Sequence, residues 1–285
     1  MKSLIKFTQA ETKLCEVPTL LEPAPNEVLI QVKSVGLCRT DLFVSNGNIP
    51  LNYDIVLGHE FSGVIVKDPS KTYSIGQHVA VNPLYINKKF MGVDFNGALT
   101  EFISVPLGQV IATSLHSFKV SSYVEPVAAS MAVLKANINK EQKGGVYGNN
   151  RIAQLTFIIL QSFGYNIEWL DENKIYENDS YDYIVETLFE EKHLQIMLSL
   201  LKDNGLLIVK SRKKQAVGIN PSLLVSKEIC LQSVNYYDFH KTMKWLEENF
   251  SQIDCLLGES YHIDDWQAAF SKAMNGESKK IFIHF

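Results

Sequence analysis

The grammar of this chain changes once, at about Lys143, and that change limits the folds open to it. From Met1 to about Val120, short β-branched runs alternate with turn residues. Val28-Leu29-Ile30-Gln31-Val32-Lys33 follows Pro23-Ala24-Pro25-Asn26, and Val64-Ile65-Val66 and His78-Val79-Ala80-Val81 each lie beside Gly or Pro. No helical period shows there, so a β-barrel or sandwich is expected. Beyond Lys143, strands and helices alternate. Val146-Tyr147 reaches Gly148, then Ile152, Leu155, Ile159 and Phe163 recur at helical spacing until Gly164 stops the helix. Ile167 to Leu170, Tyr183 to Val185, Leu206 to Val209 and Ile229 to Val234 read as further strands. A helix carrying Leu194, Met197, Leu198 and Leu201 should end at Asn204-Gly205. Another, capped by Asp238, should turn Phe239, Met243, Leu246 and Phe250 inward. Such alternation implies a doubly wound parallel sheet, because parallel crossovers need helices. In the tail, Asp264 should cap a short helix through Trp266, Ala269, Phe270 and Ala273, and Ile281-Phe282-Ile283 should close as a strand.

Bulk properties remove several function classes. With 285 residues, 46% hydrophobic and 20% charged, the chain buries a sizeable core as one large domain or two ordinary ones. A net charge of -4 offers no basic stripe for nucleic acid, and the cluster Lys210, Arg212, Lys213, Lys214 reads as a solvated loop. No apolar run approaches a membrane span, so no membrane partner is expected. Cys15, Cys38, Cys230 and Cys255 form no CxxC pair, which argues for reduced thiols and a cytoplasmic protein.

Two short runs carry the chemistry. Gly36-Leu37-Cys38-Arg39-Thr40-Asp41 is followed, after 17 residues, by His59 in Gly58-His59-Glu60-Phe61-Ser62-Gly63. They gather a thiol, an imidazole and carboxylates at glycines, where the backbone is expected to bend sharply. Cys38 and His59 suit zinc better than magnesium or calcium. A catalytic zinc takes three protein ligands and keeps a position open. Glu60 or Glu125 could complete the shell, directly or through a water. Asp41 could accept the free N–H of His59 and fix its tautomer.

The pattern G-x-C-x-x-D then G-H-E-x-x-G resembles the zinc-containing medium-chain dehydrogenase/reductase superfamily of alcohol, sorbitol and threonine dehydrogenases. Ser74-Ile75-Gly76-Gln77-His78-Val79 resembles its G-D-x-V turn, and Gly97-Ala98-Leu99-Thr100-Glu101-Phe102 its G-x-x-A-E-Y/F entry. Glu125-Pro126-Val127-Ala128 resembles the E-P element of polyol and threonine dehydrogenases, and Trp266 to Phe285 the A-F…K-x-x-I closure. The resemblance implies an α/β chain. A GroES-like catalytic domain over 1–136, completed by 259–285, would carry one zinc among Cys38, His59, Glu60 and Glu125. A shortened Rossmann domain would span 137–258. It also implies that Thr40 relays the alcohol proton, that Arg39 contacts the cofactor pyrophosphate, and that the chain is a homodimer or homotetramer. Most such relatives carry four close cysteines between the positions of Pro83 and Gly97. This chain has none there, so no structural zinc is expected.

The cofactor end departs further. A dinucleotide fold needs a tight strand-to-helix turn whose N–H groups meet the pyrophosphate. Here the run is Gly148-Asn149-Asn150-Arg151-Ile152-Ala153: the second fingerprint glycine is Asn150, which can visit left-handed backbone but occupies space against a phosphate. Asp171, 23 residues after Gly148, would hold the ribose hydroxyls and favour NAD over NADP. Only 11 residues separate Asp171 from Tyr183, so one strand–helix unit is lost and about five strands remain. The expected activity is hydride transfer between NAD(H) and a secondary alcohol (polyol, sugar or amino alcohol) or its carbonyl. The alternatives are a degenerate subunit that keeps zinc but binds dinucleotide poorly, and a zinc-free reductase of the quinone-reductase type.

Overall fold

The structure, a computed structural model, describes every residue except 9–10, 20–21, 213–214 and 277. Lys213 and Lys214 of the basic cluster lie outside the described residues. Two compact units form: Met1–Glu125 with Phe239–Phe285, and Pro126–Asp238.

In the first unit the Glu27–Gly36 strand is the hub. It pairs antiparallel with Glu60–Lys67 along one edge and with Phe102–Pro106 and Lys280–His284 along the other. His78–Val81 and Val110–Ala112 extend the sheet on one side, and Leu257–His262 joins Lys280–His284 in parallel on the other. A second sheet, Thr12–Glu16, Lys2–Lys6 and Ile55–Val56, packs on the same core of Leu4, Val28, Ile30, Val32, Phe61, Ile65 and Val79. The β-rich half expected from the sequence is therefore present. It is not free of helix: Arg39–Ser45 and Phe118–Ser121 are short helices whose few residues carry too little period to read.

The second unit is a five-stranded, all-parallel sheet in the order Ile167–Leu170, Gly144–Tyr147, Tyr181–Glu186, Leu201–Val209, Cys230–Ser233. Alternate residues serve opposite faces. Tyr147, Ile184 and Leu207 pack with Leu194, Met197 and Leu198 of the Glu191–Leu200 helix. Val146, Val185 and Ile208 pack with Ala153 and Leu160 of the Arg151–Ser162 helix. This is the doubly wound sheet, and the lost unit explains its order: residues 171–180 cross from the first edge strand to Tyr181 without a helix. Tyr176 of that crossover seats on the Tyr147–Leu170 side of the core.

Several boundaries differ from the sequence reading. The units divide at 125 and 238 rather than 136 and 258. The Phe239–Ile253 helix packs on Phe118–Ser121 and Val110–Ala112, and its Glu247 carboxylate accepts from Ser114 N (2.7 Å) and Thr113 Oγ1 (3.0 Å). Val133 and Ala136 meanwhile join the parallel-sheet core. In the 239–253 helix Phe250 faces out at 43% exposure, while Trp245 and Ile253 turn in. The 191–200 helix stops at Leu200. Asn204, at φ +61°, instead shapes a bulge in Leu201–Val209, where Tyr181 to Tyr183 spans Leu201 to Leu206. Asp264 does not cap the tail helix: its carboxylate pairs with Lys2 Nζ at 2.6 Å, and Trp266–Met274 begins after Asp265.

Among the described residues, no helix is long and apolar enough to cross a membrane.

Candidate functional site

The metal-type site is assembled where three strands meet. Cys38 leaves the Glu27–Gly36 strand and is the N-cap of Arg39–Ser45, with extended backbone at φ -98°, ψ 155°. That helix start places Asp41 one turn on, and its carboxylate accepts from Cys38 N (2.9 Å) and Gly58 N (3.1 Å). The same carboxylate lies 3.2 Å from His59 Nδ1, with both side chains at most 1% exposed. Gly58, at φ +94°, makes the turn that presents His59. Glu60 opens the Glu60–Lys67 strand, and Lys280 opens the Lys280–His284 strand and pairs with it.

Of the two runs' glycines, only Gly58 bends. Gly36 and Gly63 sit in strands, and their service is to let neighbours approach. A Cβ on Gly36 would lie 2.6 Å from Glu60 Oε2 and 2.8 Å from Lys280 Cε. One on Gly63 would lie 2.1 Å from Gln31 O. The expectation of sharp bends at all of them is corrected accordingly.

The site's electrostatics follow from burial and proximity. Burial disfavours the Cys38 thiolate, yet the His59 charge and hydrogen bond, with Lys280, bring the thiol down to about 7. Burial pushes the Glu60 carboxyl up to about 7, with Lys280 opposing it. Burial likewise works against an ionised Asp41, but His59 and the Cys38 amide hold its pKa below the usual range. His59 is raised well above the ordinary imidazole value: burial opposes this, and Asp41 and Cys38 outweigh it. Such a set is built for charge. The donor atoms of Cys38, His59 and Glu60 all lie within 4.8 Å of one another, the one such group of three among the described residues. Sulfur, imidazole and carboxylate converging in a buried site, with Asp41 behind the imidazole, fit a zinc ion.

The remaining expected residues divide. The Thr40 hydroxyl is 3.7 Å from Cys38 Sγ and half-buried. Glu125 is buried at the start of Val124–Met131. Its charge reaches Cys38 and raises that thiol, but its carboxylate stands outside the three-donor group. Arg39 is exposed. Lys280 is a site residue that the sequence motifs do not mark as one. Its signal was the K-x-x-I closure, but a partner 220 positions away is not written in any local pattern.

In the other unit the strand-to-helix turn forms as expected, with Gly148 at φ +128° and Arg151 and Ile152 opening the helix. Asn150 does not adopt left-handed backbone. At φ -141°, ψ 165° it is the helix N-cap, and its Oδ1 accepts from Ile152 N (3.0 Å) and Ala153 N (3.1 Å). Its Nδ2 donates to Thr187 Oγ1 at 2.9 Å. Two of the N–H groups open to a pyrophosphate are therefore already taken, and a pyrophosphate does not fit these residues without displacing the Asn150 carboxamide. Asp171 follows Leu170, the last residue of its strand, and its Oδ1 accepts from Asn173 N and Nδ2, each at 3.0 Å.

The sequence model of the alcohol dehydrogenase GroES-like domain matches residues 24–114. The chain is similar to an L-galactonate-5-dehydrogenase of Escherichia coli, 33% identical over 136 residues, 41% of this chain and 40% of that one. It is also similar to a sorbitol dehydrogenase of Halalkalibacterium halodurans, 23% identical with 99% of both chains covered. Other curated relatives are matched over about half of their length or less. Among solved structures, a 2R,3R-butanediol dehydrogenase from Bacillus subtilis superposes with a TM-score of 0.89 at 20% identity, covering 100% of this chain and 99% of that one.

Proposed function

The chain belongs to the medium-chain dehydrogenase/reductase superfamily, and from that premise we propose that it is an oxidoreductase. Its substrates would be secondary alcohols of the polyol, sugar or amino-alcohol class, or their carbonyls, bound at one zinc ion. The carrying observation is the convergence of Cys38 Sγ, the His59 imidazole and the Glu60 carboxylate within 4.8 Å. Bound zinc would supply Lewis acidity, lowering the pKa of a substrate hydroxyl. The chain's own residues do the rest. Asp41, 3.2 Å from His59 Nδ1, would orient the ring and leave Nε2 for the metal. Thr40, beside Cys38 Sγ, receives the alcohol proton and hands it outward. Glu60 balances its charge between the site and Lys280. Glu125 would add a second carboxylate, whose charge reaches Cys38.

NAD is the dinucleotide that Asp171 favours over NADP, through its acidity at the end of the second strand of the sheet. A second reading is supported by Asn150: a chain that keeps its metal but binds dinucleotide poorly, acting as a binding subunit. Metal analysis of protein purified without chelator tests the main reading, paired with a panel of polyols, sugars and amino alcohols plus NAD. About one zinc per chain and turnover on the panel are expected. Absence of zinc sinks it, and zinc without turnover moves the weight to the second reading. Size-exclusion chromatography tests the proposed homodimer or homotetramer.

A further inference from the structure

In an open parallel sheet, ligands bind outside the carboxyl ends of the strands, where the strand order reverses. Here that point lies between Gly144–Tyr147 and Tyr181–Glu186, whose onward neighbours lie in opposite directions. The two loops leaving it carry Gly148, Asn149 and Asn150 on one side and Thr187 on the other. Asn150 joins them. Its carboxamide oxygen occupies the Ile152 and Ala153 N–H groups, and its amide nitrogen donates to Thr187 Oγ1 (2.9 Å) and Thr187 O (3.4 Å). Thr187 Oγ1 in turn donates to Tyr147 O at 2.7 Å, and Thr187 N to the same carbonyl at 3.3 Å. There is little slack: a Cβ on Gly148 would lie 2.5 Å from Thr187 Oγ1 and 2.9 Å from Asn150 Nδ2.

We propose that Asn150, latched to Thr187, closes the pyrophosphate seat and is the residue that holds dinucleotide affinity low in this chain. A helix N-terminus attracts anions because its first N–H groups are unsatisfied. In this helix Asn150 has satisfied two of them from within. A pyrophosphate entering the seat would have to displace the carboxamide. It would restore the two N–H bonds itself, but the two bonds to Thr187 would be lost. A net hydrogen bond corresponds to about fivefold in affinity, so two correspond to roughly thirtyfold. The inference rests on the reading that a dinucleotide is the redox partner, yet it concerns binding alone and needs no metal.

The test uses the full chain, wild type against Asn150→Gly and Thr187→Val, with NADH followed by fluorescence and ADP-ribose by calorimetry. Glycine is tolerated at an N-cap almost as well as asparagine, so the first variant should fold. Asn150→Gly should bind NADH and ADP-ribose about thirtyfold more tightly than wild type, and Thr187→Val about fivefold more tightly. Adenosine, which carries no phosphate, should bind all three equally. Equal affinity of wild type and Asn150→Gly for NADH, whether strong or undetectable, overturns the proposal. Should that variant fail to fold, unchanged affinity in Thr187→Val overturns it instead. A zinc-free preparation would sink the functional reading and leave this result standing, and an open seat in wild type would do the reverse.

Discussion

Lys280 brings its ammonium onto the Glu60 carboxyl with the two side chains 2% and 1% exposed, so the two groups face each other out of water beside the thiol and imidazole. The pair is made by topology. Glu60 and Lys280 open two strands that flank Gly36 on the hub strand, and the missing Cβ of Gly36 leaves the space they share. A buried charge that loses its partner is far more costly than a pair that was never charged.

Lys280→Met should therefore destabilise the first unit by about 3–5 kcal/mol, read by urea unfolding. Combining it with Glu60→Gln should recover most of the loss, because no isolated charge remains. A single variant as stable as wild type would show that the pair is not what holds these strands.

Gly36→Ala and Gly63→Ala should fail by different routes. At Gly36 the added Cβ meets the tips of Glu60 and Lys280, which can shift, so the fold should survive at about 1–3 kcal/mol with weakened metal retention. At Gly63 it meets the Gln31 carbonyl at 2.1 Å, where backbone must move. Thermal melts should rank Gly63→Ala as the more damaging.

Asp41→Asn keeps the size of the side chain but removes the charge that lies 3.2 Å from His59 Nδ1. Affinity for zinc should fall about 10- to 100-fold, measured by competition with a chromophoric chelator. Circular dichroism should still show a folded chain, although asparagine has one acceptor oxygen where Asp41 uses Oδ2 for Cys38 N and Oδ1 for Gly58 N, so one of those two bonds is lost.

Lys210 gives a pH dependence in the other unit. Its Nζ donates to Thr156 Oγ1 at 3.0 Å, and burial brings the amine down to about 7 against the pull of Glu186, with Arg212 adding to the fall. Between pH 7 and the usual lysine range the unfolded chain binds more protons than the folded one. This group's contribution to stability therefore rises with pH there and is least favourable below 7. Lys210→Met should be more stable than wild type by about 1–3 kcal/mol at pH 7, and the gap should narrow as pH approaches 10. Paired thermal melts across that range check the sign.

The sequence was most readable where chemistry is local. Cys38, Asp41, His59 and Glu60 stand close to glycines in two short runs, and the structure brings three of them within one ion's reach. The alternation of strand and helix beyond Lys143 was readable for the same reason, since each element shows its own period. What escaped was non-local or compact. Arg39–Ser45 has seven residues, too few to display a face, though it is the element that positions Asp41. Lys280 is set against Glu60 by strand order, which no window of sequence contains. Asn150 is visible in the sequence as a departure from glycine. Its role as a cap bound to Thr187 depended on a partner 37 residues on, brought back by the parallel sheet.

The helix-free crossover at 171–180 has a practical corollary for protein engineers. It joins two parallel strands by the shortest connection in that sheet's winding, with Ile175 fully exposed, and no strand pairing depends on it. It is thus a ready graft point: a foreign strand–helix module spliced in there would extend the sheet beside Ile167–Leu170 and leave every existing register intact.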